Sequence, residues 1–309
     1  MASKEVEYQQ ARPKRTGPGG AWDSFVRFLW NPQAKTCMGR TGSSWAKIVT
    51  FYLIYYGLLA GFFAGALMIF YQTLDDIEPR RAGMQSILKG NPGMGFRPMP
   101  DVESTLVKFK QGVPDNYAEY VEHIQDFLDC ESYNTTDPNA VNCDIETPEE
   151  GQVCRFDPDK EAGPCTAANT FGYHEGEPCV LLKLNRIYGW EPEPFNNETI
   201  NEDNDHAKAA KEALGENIHP EFIGITCEGE NPGDVDNRGP AKFYPEHGFP
   251  MRYFPFLNQK GYQTPFVFVQ FKRPTPGVLI NIWCKAWAKN IYHHKKDKAG
   301  SIHLELLLD

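Results

Sequence analysis

Ile48 to Tyr71 is a run of twenty-four residues without a charge, and the chain has no other run like it. At a rise of about 1.5 Å per residue a helix of this length reaches roughly 36 Å. That is enough to cross a hydrocarbon core of about 30 Å with some tilt. The run divides the chain into an arm (1–47), a transmembrane helix (48–71) and a much larger C-terminal part. A cleaved signal peptide would have a shorter apolar core with a small-residue cleavage site just after it. Here the core is too long, and Ala64-Gly65-Ala66 lies inside it. The segment therefore reads as a retained signal anchor.

Charge sets the expected orientation. The arm carries Lys4, Arg12, Lys14, Arg15, Arg27, Lys35, Arg40 and Lys47 against Glu5, Glu7 and Asp23, a net charge of +5. The remainder of the chain is at −15, for a formal total of −10. Basic residues flanking a span favour the cytoplasm, so the N-terminus is expected inside and the C-terminal part outside, although Arg80 and Arg81 lie near the outer end. Cysteine usage agrees. Cys37 is alone on the inner side, while Cys130, Cys143, Cys154, Cys165, Cys179, Cys227 and Cys284 fall on the outer side, where disulfides persist. Two glycan acceptor sequons, at Asn134 and Asn197, are on that side too.

Residues 72–114 read as a stalk, rich in Gly and Pro (Gly83, Gly90, Pro92, Gly93, Gly95, Pro98, Pro100) and without sustained periodicity. Residues 115–309 form the outer domain. Tyr117, Tyr120, Val121, Ile124 and Leu128 repeat at helical spacing, with Asn116 and Glu119 spaced as a capping box. Asp205 to Leu214 is an alanine-rich helix candidate stopped by Gly215, expected to be solvated. Strands are expected over Val180–Ile187, Phe266–Phe271, Val278–Trp287 and Ile302–Leu308. In the last two, apolar residues alternate as on a sheet with one buried face. Several late strands in an outer domain point to a mainly-β domain, a β-sandwich.

In the span, Gly57, Gly61 and Gly65 recur every fourth residue, a spacing that lets a second helix approach closely. Tyr52 and Tyr56 are also four apart. The plain alternative is that glycine is common in spans and tyrosine at their interfaces. Asp157-Pro158-Asp159 has the acid-x-acid form of a metal site, but a solvated turn is the better reading in an acidic chain. His293-His294 lies among Lys295, Lys296 and Lys298, whose charge opposes a bound dication, so an exposed loop is expected. Gly-x-Ser-x-Gly, His-Glu-x-x-His and phosphate-loop patterns are absent from the sequence. No catalytic site, metal, cofactor or nucleic-acid partner is expected.

Several stretches together resemble one known family, the β subunits of P-type ATPases, and within it the Na,K-ATPase β subunit. They are Arg40-Thr41-Gly42-Ser43-Ser44-Trp45, Phe51 through Gly61, Val153-Cys154-Arg155-Phe156, Phe171-Gly172-Tyr173 through Glu175-Gly176-Glu177-Pro178-Cys179, and Leu182-Lys183-Leu184-Asn185-Arg186. The resemblance runs from about Trp22 to the C-terminus. Gly42 and Ser43 look more like the sodium pump version than that of the proton/potassium pump.

The resemblance implies a non-catalytic type II protein of the plasma membrane with an immunoglobulin-like sandwich carrying an inserted helix and loops. It implies a catalytic α subunit as partner, which the β subunit helps to fold, assemble and leave the endoplasmic reticulum, and whose potassium affinity it modulates. A small single-span regulatory subunit is a further implied partner, beside the lipid bilayer. Tyr52 and Tyr56 match tyrosines that contact an α-subunit helix, with Gly57, Gly61 and Gly65 in the same span. Tyr253-Phe254-Pro255-Phe256 resembles an aromatic stretch that meets the α subunit's outer loop. Three disulfides are implied: Cys165 with Cys179, Cys227 with Cys284, and Cys154 with an upstream cysteine. For the last, Cys130 and Cys143 both qualify by order; Phe127-Leu128-Asp129-Cys130 resembles the family's run, so Cys130 is expected to pair and Cys143 to be left over. A type II glycosyltransferase and an adhesion protein are the competing readings.

Overall fold

The computed structural model describes residues 17–86, 90–130, 133, 139–149, 151–196, 200, 204–294 and 298–309. The chain forms two compact units, Met1–Leu74 and Asp75–Asp309. The sequons at Asn134 and Asn197, the arm's basic cluster Arg12–Arg15, and Lys295 and Lys296 lie outside the described residues.

In the first unit, helix α1 (Gly17–Leu29) leads into three two-residue strands, β1 (Trp30–Asn31), β2 (Thr36–Cys37) and β3 (Arg40–Thr41), which pair antiparallel in that order. Helix α2 (Gly42–Tyr71) follows at once and is the one described helix long and apolar enough to cross a membrane. It starts six residues before the charge-free run. The Thr41 hydroxyl accepts a hydrogen bond from the Ser44 amide at 3.4 Å and caps the first turn, so Lys47 is carried on the helix itself. Its thirty residues amount to about 45 Å.

The second unit is two stacked sheets. Its elements in chain order are β4 (Met94–Arg97), β5 (Leu106–Phe109), α3 (Pro114–Cys130), β6 (Ala140–Val141), β7 (Val153–Cys154), α4 (Pro158–Glu161), β8 (Cys179–Leu184), α5 (Asp205–Leu214), β9 (Phe222–Gly229), α6 (Pro232–Asn237), β10 (Ala241–Tyr244), β11 (Phe249–Pro250), β12 (Phe266–Phe271), β13 (Leu279–Trp287) and β14 (Ser301–Leu308). One sheet runs β10-β12-β8-β4, antiparallel throughout. The other runs β11-β9-β13-β14-β5, with β14 and β5 parallel. Alternation puts Ile280, Ile282, Cys284 and Ala286 of β13, and Leu304, Leu306 and Leu308 of β14, on one buried face. They form one continuous core with Val267, Val269 and Phe271 of β12 and Val180 and Leu182 of β8. Every residue of β12 is buried, because its second face is covered too: Phe156 lies 4.7 Å from Phe266 and Phe171 5.8 Å from Phe268.

Four differences from the sequence reading have physical causes. The segment read as stalk supplies a strand to each sheet: Phe96 of β4 and Phe109 of β5 are core residues, anchored by pairing with β8 and β14 far along the chain. The capping box at Asn116 does not form. The helix begins at Pro114, and the Asn116 amide oxygen accepts from the Lys110 amide at 2.7 Å instead. Helix α5 is not solvated on all sides: Ala207, Ala210 and Leu214 pack with Phe195, Ile200 and Trp287 in a second cluster. Alanine suits this contact, and Gly224 of β9 leaves room for Leu214, which a Cβ there would strike.

The third disulfide is the fourth difference. Cys154 pairs with Cys143, and Cys130 is free and exposed at the end of α3. The cause is the short parallel pair β6–β7. Val141 lies opposite Cys154, which brings residue 143 beside it at a Cα–Cα distance of 5.4 Å. The other bridges join Cys165 to Cys179 and Cys227 to Cys284. Cys227 and Cys284 face each other on adjacent strands of one sheet. The layered architecture is thus sandwich-like, without the inter-sheet disulfide of immunoglobulin domains.

Candidate partner-binding surfaces

None of the residues of α2 is buried, and beyond its first two turns every side chain is exposed, open to lipid or to other helices. The Tyr52 and Tyr56 rings stack at 5.9 Å, and Phe51 and Tyr55 stack beside them at 6.3 Å, making an aromatic collar just before the middle of the helix. A Cβ added at Gly57, Gly61 or Gly65 would meet nothing within 4 Å, so this strip is an open groove. At about 100° per residue the glycine strip lies about 160° around the axis from the Tyr52–Tyr56 pair. One straight partner helix cannot touch both, so these residues form two separate surfaces.

The aromatic stretch of the outer unit divides between core and surface. Tyr253 is buried. Its ring packs edge-on against Phe156 at 5.3 Å, and its hydroxyl donates to the Arg155 carbonyl at 3.1 Å. Burial pushes the phenol's pKa up, against the opposing effect of the Arg252 guanidinium over its ring. A side chain so placed offers little surface of its own and serves chiefly to hold up its neighbours. Phe254 and Phe256 are half-buried and reach the surface. Phe254 lies edge-on to Trp190 at 5.6 Å and Phe256 against Tyr262 at 4.9 Å. The Arg186 guanidinium sits over both Phe256 and Tyr262, and the Gly189 amide donates to the Phe256 carbonyl at 2.8 Å. Exposed Leu257 and Asn258 continue the patch. The Asn258 amide donates to the carbonyls of Asp76 and Ile77, residues that follow the span by only a few positions.

Sequence reasoning missed Tyr188, Arg186 and Tyr262 as members of this patch, although Arg186 stood in a motif already singled out. The sequence carried no signal for the grouping: Arg186 and Tyr188 lie far ahead of Pro255 in the chain, and only the pairing of Tyr188 with Phe256 brings them together. Arg252, two residues ahead of Phe254, ties this stretch to the Cys143–Cys154 loop. Arg252 forms ion pairs with Asp144, beside Cys143, and with Glu161. Burial raises the Glu161 carboxyl's pKa while Arg252 pulls it down.

The other motifs are structural. Asp157 caps α4, its carboxylate accepting from the amides of Asp159 and Lys160 at 3.1 and 3.3 Å. No cluster of metal-ligating side chains occurs among the described residues. His294 is exposed, but His293 is not a free loop residue. Its ring packs edge-on against Trp287 at 4.4 Å, with Nε2 2.8 Å from the Ala286 carbonyl. Burial lowers its pKa to about 4 despite that hydrogen bond, with His206 and Lys285 adding to the effect.

The chain matches, over residues 17–304, the family described as Sodium / potassium ATPase beta chain. It is 40% identical over 298 residues to the sodium/potassium-transporting ATPase subunit beta-2 of Drosophila melanogaster, covering 93% of this chain and 92% of that one. It is 35% identical over 314 residues to the subunit beta-1 of the same organism, covering 100% and 97%. The subunit beta-1 of Tetronarce californica is 31% identical over 311 residues, covering 94% and 96%. With one apolar helix among the described residues ahead of a mainly-β, three-disulfide unit and a family match over nearly its whole length, the chain belongs to the sodium/potassium ATPase β-chain family.

Proposed function

We propose that this chain is the non-catalytic subunit of a sodium/potassium-transporting P-type ATPase, assembled with the catalytic α subunit through two regions. In the membrane, the Tyr52–Tyr56 collar meets an α-subunit helix. Outside, Phe254, Phe256 and Leu257 meet an outer loop of the same partner. Aromatic side chains of this kind supply large contact area at low entropic cost. Family members are accessory subunits, so the role is to fold, assemble and deliver the α subunit to the plasma membrane and to modulate its potassium affinity. A small single-span regulatory subunit completes the complex in this reading. The observation that carries the proposal is the family match over residues 17–304, which takes in both the span and the patch.

The chain is type II in this reading, with the N-terminus in the cytoplasm and Asp75–Asp309 outside, glycosylated at Asn134 and Asn197. The charge step across the span and the three disulfides beyond it support that orientation. Glycosidase treatment and protease applied to intact cells test it. A mass loss on deglycosylation and a protected N-terminal arm are expected. An unchanged mass together with trimming of the arm alone would invert the topology.

A further inference from the structure

Helix α1 has a use that neither the span nor the outer unit explains. Trp22, Phe25, Val26, Phe28 and Leu29 fall within an arc of about 160° around its axis, and Ser24 and Arg27 fall on the opposite side. All five apolar side chains are exposed, Trp22 at 68% and Phe28 at 54%, and Trp30 extends the apolar surface beyond the helix end. In water such a helix is poorly supported. It has thirteen residues, three of them glycine, and isolated helices below about 12–15 residues are marginal even with better helix formers. A surface that accepts the apolar face would supply what the sequence lacks.

We propose that α1 is an in-plane membrane helix that lies in the interface of the bilayer crossed by α2, and that it prefers an anionic surface. Continuity argues for lipid as the occupant. The Met38 amide donates to the Leu29 carbonyl at 3.1 Å, and the Trp45 indole donates to the Cys37 carbonyl at 2.9 Å. These bonds and the β1–β2–β3 meander tie the end of α1 to the start of α2. Charge argues for an anionic surface. Lys14 and Arg15 precede the helix, Arg27 lies on its polar face, and Lys35, Arg40 and Lys47 follow, in an arm of net charge +5. Aromatic and aliphatic residues on one side with bases on and around the other are the pattern of interfacial helices, and each base near an anionic surface adds to binding. That the cell presents this helix with an anionic leaflet rests on the cytoplasmic placement of the arm proposed above; the intrinsic preference and the seating in the interface do not.

The test uses the full chain in nanodiscs of phosphatidylcholine with and without phosphatidylserine, in a Cys37→Ser, Cys130→Ser background. Nitroxides are attached singly at positions 22 and 24 to 29. Nanodiscs present the same lipid on both faces, so the readout does not depend on topology. The ratio of oxygen to water-soluble nickel accessibility should oscillate with helical period. It should be severalfold higher at positions 22, 25, 26 and 29 than at 24 and 27, with the contrast increased by phosphatidylserine. A flat profile with nickel reaching every label would overturn the proposal. So would shielding of positions 22, 25 and 29 from both reagents, the mark of a protein partner. Oscillation that ignores phosphatidylserine would overturn the anionic preference.

Discussion

Replacing Cys143 by serine opens a loop closed across eleven residues. In the chain-entropy picture a bridge over that separation contributes about 3 kcal/mol, roughly a hundredfold in the ratio of folded to unfolded chain. Replacing Cys130, exposed and unbridged, should cost no more than about 0.5 kcal/mol. The two substitutions are chemically identical, so the difference between them isolates the pairing. Once Cys143 is gone, Cys154 has Cys130 as a substitute partner, and the double variant Cys130→Ser/Cys143→Ser removes that escape. It should match the loss at Cys143 to within about 0.5 kcal/mol or exceed it if a substitute bridge forms in the single variant. Chemical denaturation of the full chain in detergent, followed by fluorescence of Trp190, Trp283 and Trp287, gives the stabilities, and peptide mapping without reductant gives the bridges. Because Arg252 pairs with Asp144 beside the bridge, the Cys143 variant should also loosen the segment that leads from Arg252 into Phe254 and reduce partner assembly. The reasoning fails if Cys130→Ser carries the loss, Cys143→Ser does not, and a peptide joining Cys130 to Cys154 is recovered.

Three further predictions follow from the same structure. Neutral His293 is favoured by folding, with a pKa of about 4 against an unfolded value near 6.5, so its contribution is complete above about pH 6.5 and lost as pH falls toward 4. Allowing for its partial exposure, that loss is about 2 kcal/mol, and His293→Asn should flatten the pH dependence of unfolding across that window; an unaltered slope counts against it. Gly172 has φ +75° and its missing Cβ would run into the Glu177 carbonyl, so Gly172→Ala should cost about 3 kcal/mol or more in denaturant titration, and a change under 1 kcal/mol would be contrary. Leu257→Asp, at an exposed position, should leave unfolding within about 0.5 kcal/mol yet reduce recovery of the α subunit severalfold; full recovery would remove the outer patch from the interface.

The span was legible because a charge-free run of that length has few alternatives. Its start was not, since the cap at Thr41 outweighs the position of Lys47. Strands β12, β13 and β14 could be read from period two or from unbroken apolar runs. Strands β4 and β5 could not, because four residues flanked by Gly and Pro hold their shape only through partners far along the chain. Strand β9 was hidden by Gly224, which looks like a break until Leu214 is seen against it. The choice between Cys130 and Cys143 turned on a two-residue parallel pair with no sequence signal of its own. The burial of Tyr253 was not legible for a different reason. Neighbouring aromatics around a proline point in different directions, so a shared motif does not imply a shared face.

In this reading the chain exists to assemble with a P-type ATPase α subunit. Extraction of the tagged full chain in mild detergent, followed by affinity capture and mass identification, tests it most directly. A large multi-span sodium/potassium pump subunit recovered in about equimolar amount, and depleted when Tyr52 and Tyr56 are both changed to alanine, is the expected result. A clean monomer under the same conditions would contradict the account.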